Sequence, residues 1–180
     1  MENIQIINIM RNMSADREID LEEVCRTYPK HTALYLGRPE MVVMTMSNNR
    51  NMQMFRGGKI QILGCIPNVV AESMRKELIV RLKRVRSMEM CHMTEMIISN
   101  LVVSAQLQKK LCLRKIVKSD ADLFHEIELF PAALIRKWQP VHIAAFHNGK
   151  VILTGLKSEK EFFDIASSLM MFLESSKLYE

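Results

Sequence analysis

The sequence predicts an α+β fold built from one unit used twice, and three observations carry that prediction. Residues 8–27 align on residues 100–119 without a gap, polar and apolar positions alternate at strand period, and two long segments carry helical apolar stripes. In the ungapped stretch Asn8 meets Asn100, Ile19 meets Leu111, Leu21 meets Leu113 and Val24 meets Ile116. Pro39 meets Pro131 in the same alignment. One residue is then lost, and FRGGKIQILG (55–64) lies on FHNGKVILTG (146–155). A unit of about ninety residues is too long for a solenoid repeat, so the expectation is two half-domains, 1–90 and 91–180, sharing one continuous sheet.

Each element follows in order. Residues 4–14 and 96–108 alternate as strands. Asp20 with Glu23 forms a capping-box pattern ahead of a short helix through Val24 and Cys25, and its counterpart is LCLRKIVK, 111–118. Two strands are expected around 33–46 and again around 126–138. A hairpin follows, turning at Gly57-Gly58 or Asn148-Gly149, pairs that suit a type I′ turn. A long helix closes each half. The first opens at Pro67 and carries Ala71, Met74, Leu78 and Leu82 on one stripe. The second opens with a Ser158/Glu161 capping box and faces the core with Phe162, Ile165, Ala166, Leu169, Met170 and Leu173.

Composition bounds the function classes. The chain has 180 residues, 48% hydrophobic and 25% charged, enough apolar content for a buried core. No apolar run reaches the ~20 residues a bilayer span needs, and no basic-then-apolar leader opens it, so an intracellular protein with no membrane role is expected. The four cysteines, at 25, 65, 91 and 112, form no C-x-x-C, and Cys91-His92 has no second ligand motif nearby. They read as reduced, mostly buried thiols rather than metal ligands, and no cofactor is implied. Five histidines form no nucleophile–base arrangement, which argues against an enzyme. Net charge is +5, and the excess lies in residues 1–88, with 14 Lys/Arg against 9 Asp/Glu. Most of it sits on the first long helix and just beyond, at Arg75, Lys76, Arg81, Lys83, Arg84 and Arg86. That cluster suits an acidic partner, and it equally suits a solvated helix face. The 15 methionines read mostly as core filling.

Strand period also separates two faces. Val151 and Leu153 belong with the covering helix, leaving Lys150, Ile152 and Thr154 on the other face with Asn100, Val102 and Phe146. An amide, a hydroxyl, aliphatic groups and phenylalanines are what a minor-groove reader uses. On periodicity alone the same residues also read as ordinary strand polars and core aromatics.

The duplicated unit, the HEIELFP run at 125–131 and the F-x-N-G-K-x-x-L-T-G run at 146–155 resemble the TATA-box-binding protein family over both repeats, roughly 4–88 and 96–178. The resemblance implies a pseudo-two-fold saddle: ten antiparallel strands, four helices on the convex back and a DNA-binding concave underside. It implies a nuclear initiation factor (or one at a site of viral transcription) that binds AT-rich double-stranded DNA, recruits factor IIB-like and IIA-like partners and so brings in an RNA polymerase. By position, Asn100 and Thr154 match base-contacting residues, Val102 and Ile152 the aliphatic groove contacts, and Phe130 and Phe146 the intercalating pair. Arg136, Lys150 and Lys157 match phosphate contacts, and Glu126, Glu128 and Leu129 the stirrup that meets factor IIB. The basic helix residues Arg75, Lys76, Arg81, Lys83 and Arg84 match a partner-binding surface.

The first repeat keeps Asn8, Phe55 and Lys59, with Met10 at the aliphatic position. Arg38 stands in place of the first wedge, Leu63 in place of the threonine, and Gln61 in place of an aliphatic residue. Weaker or asymmetric DNA contact is therefore expected from this half, and a saddle serving only as a protein-interaction module is the alternative. The divergence points to a fast-evolving viral or parasitic lineage. An uncovered apolar face would favour a homodimer in the absence of DNA.

Overall fold

The computed structural model describes residues 1–115, 123–124 and 130–179. Its elements are β1 (Glu2–Ser14), α1 (Leu21–Thr27), β2 (Ala33–Gly37), β3 (Glu40–Thr45), β4 (Asn51–Phe55), β5 (Lys59–Leu63), α2 (Asn68–Leu82), β6 (Ile97–Gln106), β7 (Leu123–Phe124), β8 (Ala132–Ile135), β9 (His142–Phe146), β10 (Lys150–Leu156) and α3 (Glu159–Ser175). Residues 113–115 are helical too; of the helix expected at 111–118, Leu111 instead forms a bridge with Tyr179, Cys112 is not helical, and residues 116–118 lie outside the described residues. The ten strands follow the order β2-β3-β4-β5-β1-β6-β10-β9-β8-β7, which meets the α+β expectation.

The chain clusters into two compact units that do not divide where the repeat does. One holds Met10–Ile98; the other holds Ser99–Glu180 together with Met1–Ile9. We call them the first-repeat and second-repeat units.

Local signals fix the helices. Asp20 caps α1, its Oδ1 accepting the Glu23 N–H at 2.8 Å. Ser158 caps α3 through Oγ and the Glu161 N–H at 3.1 Å. In neither case does the glutamate complete the reciprocal bond of a capping box. Glu161 accepts instead from the Lys157 N–H, and Glu23 from the Ser87 N–H. Of the expected stripes, Ala71, Met74, Leu78 and Leu82 on α2 and Phe162, Ala166, Leu169 and Leu173 on α3 are buried, while Ile165 and Met170 at the margin of α3 are half-buried.

The hairpin turns differ from the type I′ expectation. Only the second residue of each pair has positive φ, Gly58 at 86° and Gly149 at 85°, while Gly57 and Asn148 do not. Gly58 N–H bonds Phe55 O and Gly149 N–H bonds Phe146 O, both at 3.0 Å. These are three-residue loops, a tight turn followed by one left-handed glycine. A Cβ at Gly58 would stand 2.7 Å from Arg17 O, and one at Gly149 2.7 Å from Lys109 O, so glycine is required twice over.

The first-repeat core contains Met13, Met44, Met46, Met52, Met54, Met74 and Met88, all at most 2% exposed. Among the described residues the second-repeat core holds no fully buried methionine; Leu101, Val103, Ile143, Val151, Leu153, Phe162, Leu169 and Leu173 are buried there. The cysteines depart from expectation. None of the four is in a disulfide, but Cys65 is exposed and Cys25, Cys91 and Cys112 are only half-buried.

Candidate nucleic-acid interface

In the second-repeat unit, burial alternates along β9, along β10 as far as Thr154 and along β6 from Leu101 onward. Val151, Leu153, Leu101, Val103, Ala105, Ile143 and Ala145 are buried on the face that the core covers. Asn100, Val102, Phe146, Ile152 and Thr154 occupy the opposite parity and are half-exposed, with Lys150 exposed at the strand end. Strand register draws a row across this helix-free face, Ser104–Ile152–Ala144–Leu134–Phe124. At the strand ends Gln106 lies opposite Lys150, and Phe146 opposite Ala132.

Asn100 owes its orientation to an irregularity. The β10–β6 register shifts between Leu153 and Leu156, and Gly155 there has φ 96°. Such a bulge takes a backbone N–H out of the ladder. The Gly155 N–H donates to Asn100 Oδ1 at 2.8 Å. With the carbonyl so occupied, the Asn100 side chain offers its Nδ2 as a donor. Glycine is again obligatory, because a Cβ at 155 would lie 2.7 Å from Pro140 O. The Thr154 hydroxyl reaches only a long contact of 3.4 Å to His142 O, so it too retains donor capacity.

Phe130 is 42% exposed and packs edge-on to Phe146, ring centroids 6.0 Å apart. Arg136 follows β8 and Lys157 follows β10, both exposed, and the Lys157 ammonium bonds Ser99 O. Glu126, Glu128 and Leu129 lie outside the described residues. Phe124, 44% exposed and opposite Leu134, is a face residue that motif matching missed. Its alternation with buried Leu123 is the signal that could have found it.

The first-repeat unit presents a different surface. Its matching row is Asn12–Gln61–Gln53–Val43–Leu34. Gln61 Nε2 donates to Asn12 Oδ1 at 3.0 Å and lies 3.5 Å from Met10 Sδ. Leu63, opposite Met10, is 46% exposed. Phe55 is half-buried at the end of β4, while Lys59 and Arg38 are exposed. Asn8, half-exposed, belongs to the first stretch of β1, grouped with the second-repeat unit.

On α2 and just beyond its end the basic residues separate into two sets. Arg75 makes a two-pronged bridge to Glu72 at 2.8 and 2.9 Å, and Arg81 pairs with Glu77 and bonds Thr45 O at 2.9 Å. Both are half-buried and neutralised, and the bonded carboxylates are held below their ordinary range. For Glu72 the main cause is Arg75; for Glu77, Ser47 and Arg81 outweigh an opposing burial. Lys76, Lys83 and Arg84 are exposed without an ion pair among the described residues.

Against known proteins, the family described as transcription factor TFIID (or TATA-binding protein) matches residues 95–176. The TATA-box-binding protein of Methanocaldococcus jannaschii is 30% identical over 159 residues, covering 88% of this chain and 86% of the relative. The chain belongs to the TATA-box-binding protein family. The relative from Pyrobaculum calidifontis is 26% identical over 96% of this chain and 85% of its own, and that from Methanobrevibacter smithii 28% identical over 88% of each. The solved structure of the Methanococcus jannaschii protein superposes with a TM-score of 0.73 at 30% identity, covering 98% of this chain and 99% of that one. Family membership makes this a TATA-box-binding transcription factor and not an enzyme. The family match covers the second repeat, where the expected motifs are intact, and leaves the altered first repeat outside its span.

Proposed function

We propose that this family member is an initiation factor that binds promoter DNA in the minor groove through the helix-free faces of its sheet. The carrying observation is Asn100: its carbonyl is held by the Gly155 N–H, and what remains on the face is a donor beside the Thr154 hydroxyl and the aliphatic Val102 and Ile152. Minor-groove edges of A·T pairs offer only the N3 and O2 acceptors, so donors set among aliphatic groups are complementary to them. Phe130 and Phe146 supply a wedge, and Arg136, Lys150 and Lys157 supply charge for phosphates. Asn8, Met10, Phe55 and Lys59 are the corresponding contacts from the first repeat.

The stirrup residues Glu126, Glu128 and Leu129 are assigned to a factor IIB-like partner. Lys76, Lys83 and Arg84 are assigned to an acidic, IIA-like one, with polymerase recruitment following through these factors in a nucleus or at a site of viral transcription. Homodimerisation without DNA is part of the same reading. A second reading, a protein-interaction module, is favoured by Arg38 at the wedge position and by the amide row of the first-repeat face.

Electrophoretic shift on an AT-rich duplex, alone and with a factor IIB-like partner, separates the two. Binding in either condition at modest salt supports the first reading, and no shift in both leaves the second. Reversing Lys76, Lys83 and Arg84 to glutamate should weaken the acidic partner and leave DNA affinity within about twofold, since these charges lie off the proposed interface. Sedimentation of DNA-free protein over a concentration series tests the dimer.

A further inference from the structure

The proposed minor-groove reading leaves open what the amide-rich half of the surface recognises. Gln61 alternates with fully buried Ile60 and Ile62, and Asn12 with buried Arg11 and Met13, so both side chains belong to the helix-free parity. They are direct cross-strand neighbours. The Gln61 amide nitrogen is spent on Asn12 Oδ1 at 3.0 Å and on Met10 Sδ at 3.5 Å. That leaves the Gln61 carbonyl as an acceptor. Conversely, Asn12 has given its carbonyl to this bond and keeps its Nδ2 as a donor. Gln61 is only 9% exposed, so its orientation is held by its neighbours.

An acceptor and a donor fixed side by side do not match an A·T minor-groove edge, which presents acceptors alone. They match a G·C edge, where the guanine N2 amino group donates and the neighbouring N3 and O2 accept. At the equivalent place in the second repeat stand Ser104 and Ile152, and an aliphatic side chain leaves the N2 amino group desolvated and unbonded. We propose that the first-repeat face is a specificity element for a G·C base pair, with Gln61 accepting from guanine N2 and Asn12 donating to the adjacent acceptor. The recognised site is then a composite, A·T-rich under the second repeat and carrying G·C under the first. This rests on the minor-groove reading above and makes a separate demand of the DNA.

The test uses the full chain and a set of duplexes in which a single G·C pair is walked through an AT-rich site. Each is matched by a duplex with inosine in place of guanine, which deletes only the N2 amino group. The expected result is one or two adjacent positions where G·C binds about tenfold tighter than inosine·C. At positions under the other half, G·C is expected to bind more weakly than inosine·C. Gln61→Ile should abolish the preference and improve binding to the all-A·T duplex; Asn12→Ser should reduce it. Circular dichroism and thermal unfolding establish that both variants fold. If guanine and inosine bind alike at every position, or guanine is penalised everywhere while A·T duplexes still bind, the inference fails and the minor-groove reading stands. Preference that survives Gln61→Ile overturns the assignment to Gln61, and absence of binding to every duplex, with or without a factor IIB-like partner, overturns both.

Discussion

The two repeats share a strand order, yet they have solved packing and recognition differently. The second-repeat unit uses Leu, Ile, Val and Phe in its core and an aliphatic, lightly polar helix-free face. The first-repeat unit uses seven buried methionines and a row of amides. It also places Arg11, 4% exposed, where the second repeat has buried Val103. Branched and aromatic side chains have few rotamers and specify one packing, whereas methionine adapts to irregular space. The rigid half kept the motifs that identify the family, and the adaptable half is where the face changed. A core that repacks readily tolerates substitution on the surface above it.

The largest expected break in this comparison is at the wedges. Phe130→Ala with Phe146→Ala should reduce affinity for an AT-rich duplex about a hundredfold and remove most of its bending, read by electrophoretic shift and by end-to-end energy transfer. Unstacking and bending terms amount to a few kcal/mol. Phe55→Ala in the other half, with Arg38 rather than phenylalanine as its repeat-matched companion, should cost less than a third as many fold. Equal losses would show that both halves wedge.

Next in size is Arg11. Its Nη2 bonds Asn68 Oδ1 at 2.6 Å, but Nη1 is buried without a partner among the described residues, and burial lowers the pKa of the guanidinium. Desolvating a charge that is only half satisfied costs free energy that an apolar replacement recovers. Arg11→Val, which installs the residue of the second repeat, should stabilise the first-repeat unit by about 1–3 kcal/mol. Denaturant unfolding followed by amide exchange in β5 and α2 measures it. A destabilised variant would mean that Arg11 supports the fold.

Much of this architecture was legible in the sequence, because strand parity, helix stripes and caps are local. Val151 and Leu153 fell on the core side and Lys150, Ile152 and Thr154 on the other, as period two requires. What escaped depended on atoms brought together by tertiary structure. The Asn12–Gln61 bond needs the β1–β5 register, and Gly155 donating to Asn100 needs the β10 bulge. Neither is written in spacing. The type I′ expectation failed because two adjacent residues with αL preference are compatible with several loops; here only Gly58 and Gly149 turn left-handed, and the carbonyls of Arg17 and Lys109 lie too close to either for a side chain. The pairing of Arg75 and Arg81 is different in kind, because Glu72 and Glu77 stand three and four residues before them on the same helix and the spacing alone places each beside its arginine.

A smaller effect separates fold from recognition at Asn100. Asn100→Asp retains an oxygen for the Gly155 N–H and loses the Nδ2 donor. Stability at neutral pH should hold within about 1 kcal/mol, since a charged acceptor strengthens the bond while its burial opposes it. DNA affinity should fall at least tenfold, from a lost donor and an added charge near phosphates. Asn12→Asp in the other half offers the contrast. It too loses a donor and adds a charge, but keeps the oxygen that Gln61 bonds, so a comparable loss is expected on a G·C-bearing site.

The smallest expected difference is acid sensitivity, and it tests whether the halves are closed in the same way after β1 and β6. In the first-repeat unit, Asp16 N–H bonds His92 O at 3.0 Å, Ser14 N–H bonds Thr94 Oγ1 at 2.8 Å, and Arg17 bonds the Asp16 carboxylate at 3.0 Å. Bonds from Arg17 and then Cys91 hold the Asp16 carboxyl down at about 2. The aligned residues of the second repeat are Gln108 and Lys109, an amide bonded to Glu2 and an ammonium 5.4 Å from the centre of the Tyr179 ring. Because the folded carboxyl titrates below its unfolded value of about 3.9, its contribution is complete above that value. It disappears as pH falls through about 2. Amide exchange at Asp16 and Thr94 should therefore accelerate between about pH 4 and pH 2, a window set by those two values. Exchange at Leu107 and Leu111, which bond backbone carbonyls of the second repeat, should not follow the same titration. Asp16→Asn should flatten the first curve at little cost to stability at neutral pH, because the exposed pair with Arg17 that it removes is worth little; a curve unchanged by that substitution would assign the acid step to another carboxylate.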